Sequence, residues 1–292
     1  MKVILLLTTR NLRLFFRDRM AVVFALLSPL IMFLLYTFFL GNQQMQNIQS
    51  ALPAASSTDI HGFINSWLFA GIISIATLTT GLVALGVFVR DRESDRFQDF
   101  LVAPLRRTQM ILGYLLAAFG VSTLMSTILF ILSQVYIVLA GGGLLSWQYA
   151  VEAYGAILLL CLTFAALSSF IVTFIKSYGA FSAFNTILGT AVGFLGGAYI
   201  MADALPKSVL NVMNVLPFAQ GAALLRQIFT HQTLRLITDN QPVALSSMQR
   251  NFSINLKVST HPLHMATIIG IFILITIVFT ALGSWRIGRH IE

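Results

Sequence analysis

The chain has 292 residues, 57% of them hydrophobic and 10% charged, where a soluble globular domain carries roughly 25% charged residues. With a mean hydropathy of +0.85 and no charged residue across 20–58, 108–151, 153–175 or 177–202, this composition excludes a soluble enzyme, a disordered chain and a fibrous repeat. The net charge of +8 is not a nucleic-acid footprint either, because no basic groove with interleaved aromatics lies outside the apolar segments.

An all-α polytopic membrane protein is therefore predicted, with residues 1–292 forming a single transmembrane domain. A spanning helix needs about 20 apolar residues, and six stretches qualify: 20–40, 63–89, 110–140, 151–175, 180–201 and 265–285. Ahead of the first, residues 1–19 form a basic amphipathic helix. Arg10, Arg13 and Arg17 are spaced i, i+3, i+7 on one arc, and the helix is expected to lie in the membrane interface. The first span carries no small-residue cleavage site before Leu40 and is expected to remain as an anchor.

Between spans two and three, residues 90–107 open with six charges in seven residues. An apolar strip of Phe97, Phe100 and Leu101 follows until Pro104 breaks the helix. Mixed charge of this kind suits docking to a protein surface bearing both signs better than it suits lipid. In span two, Thr79 and Thr80 place hydroxyls at mid-depth. In span five, Asn185 stands between Phe181 and Phe184. Polar groups at that depth bond to a neighbouring helix or line a pathway.

Further along span five, Gly189, Gly193 and Gly197 form a small-residue face expected to let another backbone approach closely, within the bundle or from a second copy. The connection 202–262 is too long and too apolar for a simple loop. Within it, 208–225 has no charge but is interrupted by Asn211, Asn214, Pro217 and Gln220. It is expected to dip into the outer leaflet and return, over a cavity. His261 and His264 without carboxylates or thiols make an incomplete metal site, so no metal is expected.

Orientation follows from the basic residues. If both termini are cytoplasmic, thirteen of the eighteen Lys and Arg lie inside. The other five, Lys207, Arg226, Arg235, Arg250 and Lys257, are spread through the long 202–262 connection, and long connections count little in the positive-inside rule. Absences narrow the chemistry. The phosphate-binding pattern GxxxxGK[ST] does not occur, so ATP is not bound by this chain in that manner. The span interiors also lack the acidic or histidine groups that ion-coupled carriers and intramembrane hydrolases need. Energy, if used, comes from another chain. The competing class is a membrane-embedded scaffold or lipid-modifying enzyme without transport.

Two segments carry a family resemblance. RDRESDRFQDFLVAPLRRTQMILGYLL, residues 90–116, resembles the loop between spans two and three of type-2 permeases of ATP-binding cassette (ABC) exporters, in its acid after Arg, Leu-x-x-Pro and basic pair. NVLPFAQGAALLRQIF, residues 214–229, resembles that family's Asn-x-x-Pro segment before an Arg in the re-entrant region. Six spans, the basic N-terminal helix and inner termini agree with the family pattern.

The resemblance implies a permease that pairs as a homodimer or related heterodimer in the bacterial plasma membrane and binds two cytoplasmic ABC ATPase subunits, which carry the ATP and magnesium. It implies that Arg92, Glu93, Asp95, Arg96 and Phe97 transmit ATP-driven closure and that spans two and five line the pathway. It further implies that the segment holding Asn214 and Pro217 gates the outer exit. The cargo expected of a charge-free, Phe-rich bundle is amphipathic or apolar, such as a drug, antimicrobial peptide or lipid. The polar stretch 230–262 is longer than in the family's short polysaccharide exporters, a departure that argues against a polymer.

Overall fold

The computed structural model describes residues 2–94, 107–197, 206–258 and 261–290. These are almost wholly helical. Helix α1 (Lys2–Arg17) turns at Asp18, whose carboxylate accepts from the Ala21 N–H at 3.1 Å and caps α2 (Arg19–Leu35). That cap satisfies one of the donors a helix start leaves open. The helix then widens into a five-residue π-turn, Tyr36–Leu40, and continues as α3 (Gly41–Ala51). Next come α4 (Ser57–Ala84) and α5 (Gly86–Glu93), which together make one long span.

Beyond the following connection lie α6 (Arg107–Leu139), α7 (Trp147–Val172) and α8 (Tyr178–Leu195). The next region holds α9 (Lys207–Val215), α10 (Pro217–Phe229), α11 (His231–Thr238), α12 (Pro242–Asn251) and an antiparallel hairpin of β1 (Lys257–Val258) and β2 (His261–Pro262). The last helix is α13 (Met265–His290).

Six helical stretches among the described residues are long and apolar enough to cross a membrane, so the expected all-α architecture stands. Two boundaries differ from the sequence reading. Residues 41–62, the stretch between the first two predicted spans, are mostly helix, because α3 has no Pro and turns Ile48 (2% exposed) and Gln44 inward against the bundle. Span five ends at Leu195 and not at 201. Gly196 caps it, and Gly197 takes φ +64°, a left-handed conformation that only glycine adopts without strain.

The α4–α5 span is the axis of the bundle: 83% of its apolar window is buried, against 17% for α8 and 11% for α13, which are covered on one side. Its buried side chains point in every direction, with Ile60, Phe63, Trp67, Ile73, Leu78 and Leu82 each nearly inaccessible. Such a helix must be enclosed by other helices. Helix α7 joins α13 through paired hydroxyls, Thr163 to Thr276 at 2.8 Å.

Helix α1 lies against the α6 end that follows Arg107. A Cβ added at Gly113 would stand 2.6 Å from Leu7 Cβ, and one at Gly120 would stand 3.3 Å from Leu12. Backbone contact of this closeness fixes α1 to the bundle. Gly113→Ala should therefore lift α1 off α6, at about 1–3 kcal/mol, lowering the thermal unfolding midpoint of the detergent-solubilised protein. Leu7→Ala should not restore it, since the clashing atom is the Cβ itself, whereas Leu7→Gly should. Gly189→Ala should be silent within the chain, because nothing lies within 4 Å of that position.

Candidate functional site

Helix α5 carries four charged residues in a row, and a helix turns each into a different direction. Asp91 points inward and is 1% exposed. Its carboxylate accepts from Arg10 Nη1 at 2.6 Å and Arg10 Nη2 at 3.1 Å, a bidentate fork, and from Tyr114 Oη at 2.6 Å. Arg10 Nη1 also donates to Asn11 Oδ1 at 2.9 Å. The bond to Asp91 holds the guanidinium pKa above its ordinary value, against the opposing effect of burial.

Arg92 reaches the other way and donates to the backbone carbonyls of Thr173 at 2.8 Å and Ile175 at 3.3 Å, which closes the open end of α7. Arg90 lies 4.8 Å over the Tyr178 ring at the start of α8 and within 3.8 Å of Asp18. Three consecutive side chains thus tie α1, α6, the end of α7 and the start of α8 to the foot of span two. Glu93 faces solvent, as do Arg13 and Arg17. Asp95, Arg96 and Phe97 lie outside the described residues.

The expected basic arc on α1 is accordingly split. Arg10 sits at the edge of the arc nearest the buried Leu7, Asn11 and Phe15 face, so Asp91 draws it into the bundle, while Arg13 and Arg17 remain outside. The pathway candidates are placed as follows. Thr79 and Thr80 spend their hydroxyls on backbone carbonyls one turn back, Ile75 at 3.1 Å and Ala76 at 2.6 Å. Phe181 is buried against Gly86, whose added Cβ would stand 3.0 Å from the ring. Phe184 packs on the same cluster, and Asn185 is half-buried. The glycine face does not run as a helical stripe: Gly193 is buried, Gly189 meets open space and Gly197 stands beyond the end of α8.

At the opposite end, α9 and α10 meet at an 81° bend. Pro217 opens α10 at the position where a missing N–H is harmless. Buried Gln220 donates to the carbonyls of Asn214 at 3.1 Å and Val215 at 3.2 Å, satisfying the end of α9. Asn214 Nδ2 donates to the Lys257 carbonyl at 2.9 Å and ties the bend to the hairpin. Arg226, 1% exposed, donates to the Gly197 carbonyl at 2.9 Å and lies 4.3 Å from the Trp67 ring. A buried guanidinium held by a carbonyl and an indole face joins α10, the end of span five and span two.

Sequence reasoning singled out Asn214, Pro217 and Gln220 as interruptions but gave no role to Asp91, Tyr114, Trp67 or Arg226. The available signal was an acid between two arginines at the end of an apolar run, and an arginine inside an otherwise uncharged outer segment.

Asp91→Asn should leave Arg10 without its counter-charge and destabilise the protein by about 1–3 kcal/mol. Arg10→Met combined with Asp91→Leu should recover most of that loss, as read by thermal unfolding in detergent. Gln220→Leu should speed hydrogen exchange across 207–216 while leaving α4 protected, since it frees the α9 carbonyls without touching the bundle axis.

Residues 2–230 match the family model described as ABC-2 type transporter. Two curated relatives are each 26% identical over 165 residues, covering 56% of this chain: nodulation protein J of Bradyrhizobium diazoefficiens and nodulation protein J of Rhizobium meliloti. The chain spans 61% of the length of these relatives. The matched region contains every residue of the charged foot, five of the six spanning helices and the bent pair up to the end of α10. The chain belongs to the ABC-2 type transporter family, as a multi-pass membrane component.

Proposed function

We propose that this chain is the permease subunit of an exporter, with ATP hydrolysed by separate cytoplasmic ABC subunits and both termini on the cytoplasmic side of the plasma membrane. Membership of the ABC-2 family supports a partner ATPase. The reading rests most on the charged foot, where Arg10, Asp91 and Tyr114 clamp three elements and Arg92 clamps a fourth. On this reading, force applied to the connection beyond Ser94 is passed by the clamp to the helices it joins. Exposed Glu93 marks where that loop begins.

On this reading Arg92 is a strut within the bundle, and Glu93 with Asp95, Arg96 and Phe97 face the ATPase. An amphipathic or apolar cargo moves past spans two and five and leaves beneath the α9–α10 bend. A second copy, giving a homodimer or related heterodimer, covers the exposed face of α8, where Ile187 is 69% and Phe194 50% accessible. The phenylalanine-rich and nearly charge-free interior favours a drug, antimicrobial peptide or lipid over a highly charged solute.

Glu93→Lys combined with Arg96→Glu exchanges two charges and leaves their sum unchanged. A solvated connector would tolerate it, because exposed pairs at i, i+3 contribute only a few tenths of a kcal/mol. Against a docked partner, like charges would meet across an interface. The double variant should insert normally yet lose co-purification of the ATPase and substrate efflux; wild-type values in both would remove this loop from coupling. Cysteines placed at Gln46 and Ser94 should label from opposite faces of intact cells, and labelling of both from outside would overturn the orientation.

A further inference from the structure

A cavity of about 450 Å³ lies at the end of the bundle opposite α1, walled by the first turns of α7, by α10 and α11, by α12 and by Met265 at the start of α13. That volume is in the range of small-molecule sites, and its lining differs sharply from the apolar interior of the spans. Tyr149 and His231 form an aromatic platform, with ring centroids 4.6 Å apart and a tilt of 37°. Glu152 and Arg235 both line the same space, yet no ion pair within 4.0 Å joins them. Among the described residues Glu152 accepts a long contact, 3.4 Å, from Gln148 in its own helix. Gln227, which also lines the cavity, donates its amide N–H to the Ile254 carbonyl at 3.0 Å.

Burial, reinforced by Arg235, lowers the His231 pKa below its ordinary value, while Glu152 pulls in the other direction. With His231 neutral, the formal charges on the wall are one carboxylate and one guanidinium, and they cancel. A net anion or a net cation would meet one of them unfavourably. A molecule that carries both signs a few ångströms apart would satisfy both, with the aromatic platform beside its cation.

We propose that this cavity binds a small zwitterion of the phosphoethanolamine type, its ammonium on Glu152 and Tyr149 and its phosphate on Arg235. Such a group reaches the cavity either as the headgroup of a membrane lipid or as a free solute. Trp147 and Val151, 83% and 53% accessible, adjoin the lining residues Gln148 and Glu152 in α7, and an exposed Trp at the end of a spanning helix is the type of side chain enriched at membrane surfaces. The site is separate from the charged foot and does not depend on the direction or cargo of transport.

The full chain, reconstituted in nanodiscs of phosphatidylethanolamine and phosphatidylglycerol, should retain phosphatidylethanolamine selectively when released for native mass spectrometry. Soluble glycerophosphoethanolamine titrated calorimetrically into the detergent-solubilised chain separates the two sources. Saturable binding shows that the headgroup alone suffices, whereas lipid retention without it assigns the site to the membrane-bound form. In whichever arm shows binding, Glu152→Gln and Arg235→Gln, both at solvent-accessible positions, should each weaken it at least about tenfold. Arg250→Gln, which removes an exposed charge outside the cavity, should leave it unchanged. Binding of neither probe, equal retention of phosphatidylglycerol, or the same loss with Arg250→Gln as with the cavity variants would overturn the proposal.

Discussion

A carboxylate buried at the end of an apolar helix is tolerable only if its charge and its lone pairs are matched from nearby elements. Asp91 imposes that condition on the whole foot of the molecule. Its demand is met by a guanidinium from α1 and a phenol from α6, and the guanidinium arrives because α1 lies against α6 with the close approach that Gly113 and Gly120 permit. Because Arg90 and Arg92 flank it in the same helix, fixing Asp91 also fixes where they reach, one toward α8 and one onto the end of α7. The placement of α1, α6, α7 and α8 around span two therefore shares a single electrostatic anchor.

The architecture was legible where composition alone decides it. Uncharged runs of spanning length have few folded alternatives, and all six appear, with ends displaced by a few residues where a cap or a glycine intervenes. The bent outer segment was also legible, because Asn214 and Pro217 interrupt an apolar run in a way that a straight span would not accommodate. What the sequence concealed were partnerships. Arg10, Arg13 and Arg17 share a helical arc, and only the position of Asp91, 81 residues away, decides which of them turns inward. Gln220 and Arg226 look like ordinary polar interruptions until the carbonyls of α9 and Gly197 are seen to need donors. The glycine stripe is shorter than its spacing predicts for a local reason, since a helix that stops at Leu195 cannot carry the pattern to Gly197.

The two ends of the bundle are built from different interactions. The foot is held by charge against charge with a bidentate geometry, which is short in range and strongly directional. The opposite end is held by side chains donating to carbonyls and by a guanidinium over an indole ring. These contacts engage the Gln220 amide nitrogen and the Arg226 Nη2 but leave Gln220 Oε1 and Arg226 Nε buried without a hydrogen-bond partner, so the bend is not locked to one rigid partner. On the proposed reading, that contrast lets a push delivered at the foot travel along span two and be released as movement of the α9–α10 bend.

The π-turn at Tyr36–Leu40 bears on how this chain tolerates change in length. A five-residue π segment holds one residue more than a regular helix would between the same two ends. It therefore sets the rotational phase of α3 relative to α2, and both Gln44 and Ile48 are buried because of that phase. Losing a single residue there would straighten the helix and swing α3 by about 100°, carrying those two side chains off the bundle while every residue of α2 stayed in place. In families aligned across this region, a gap of one position between 36 and 40 would thus signal a differently assembled outer surface, even where the flanking residues are identical.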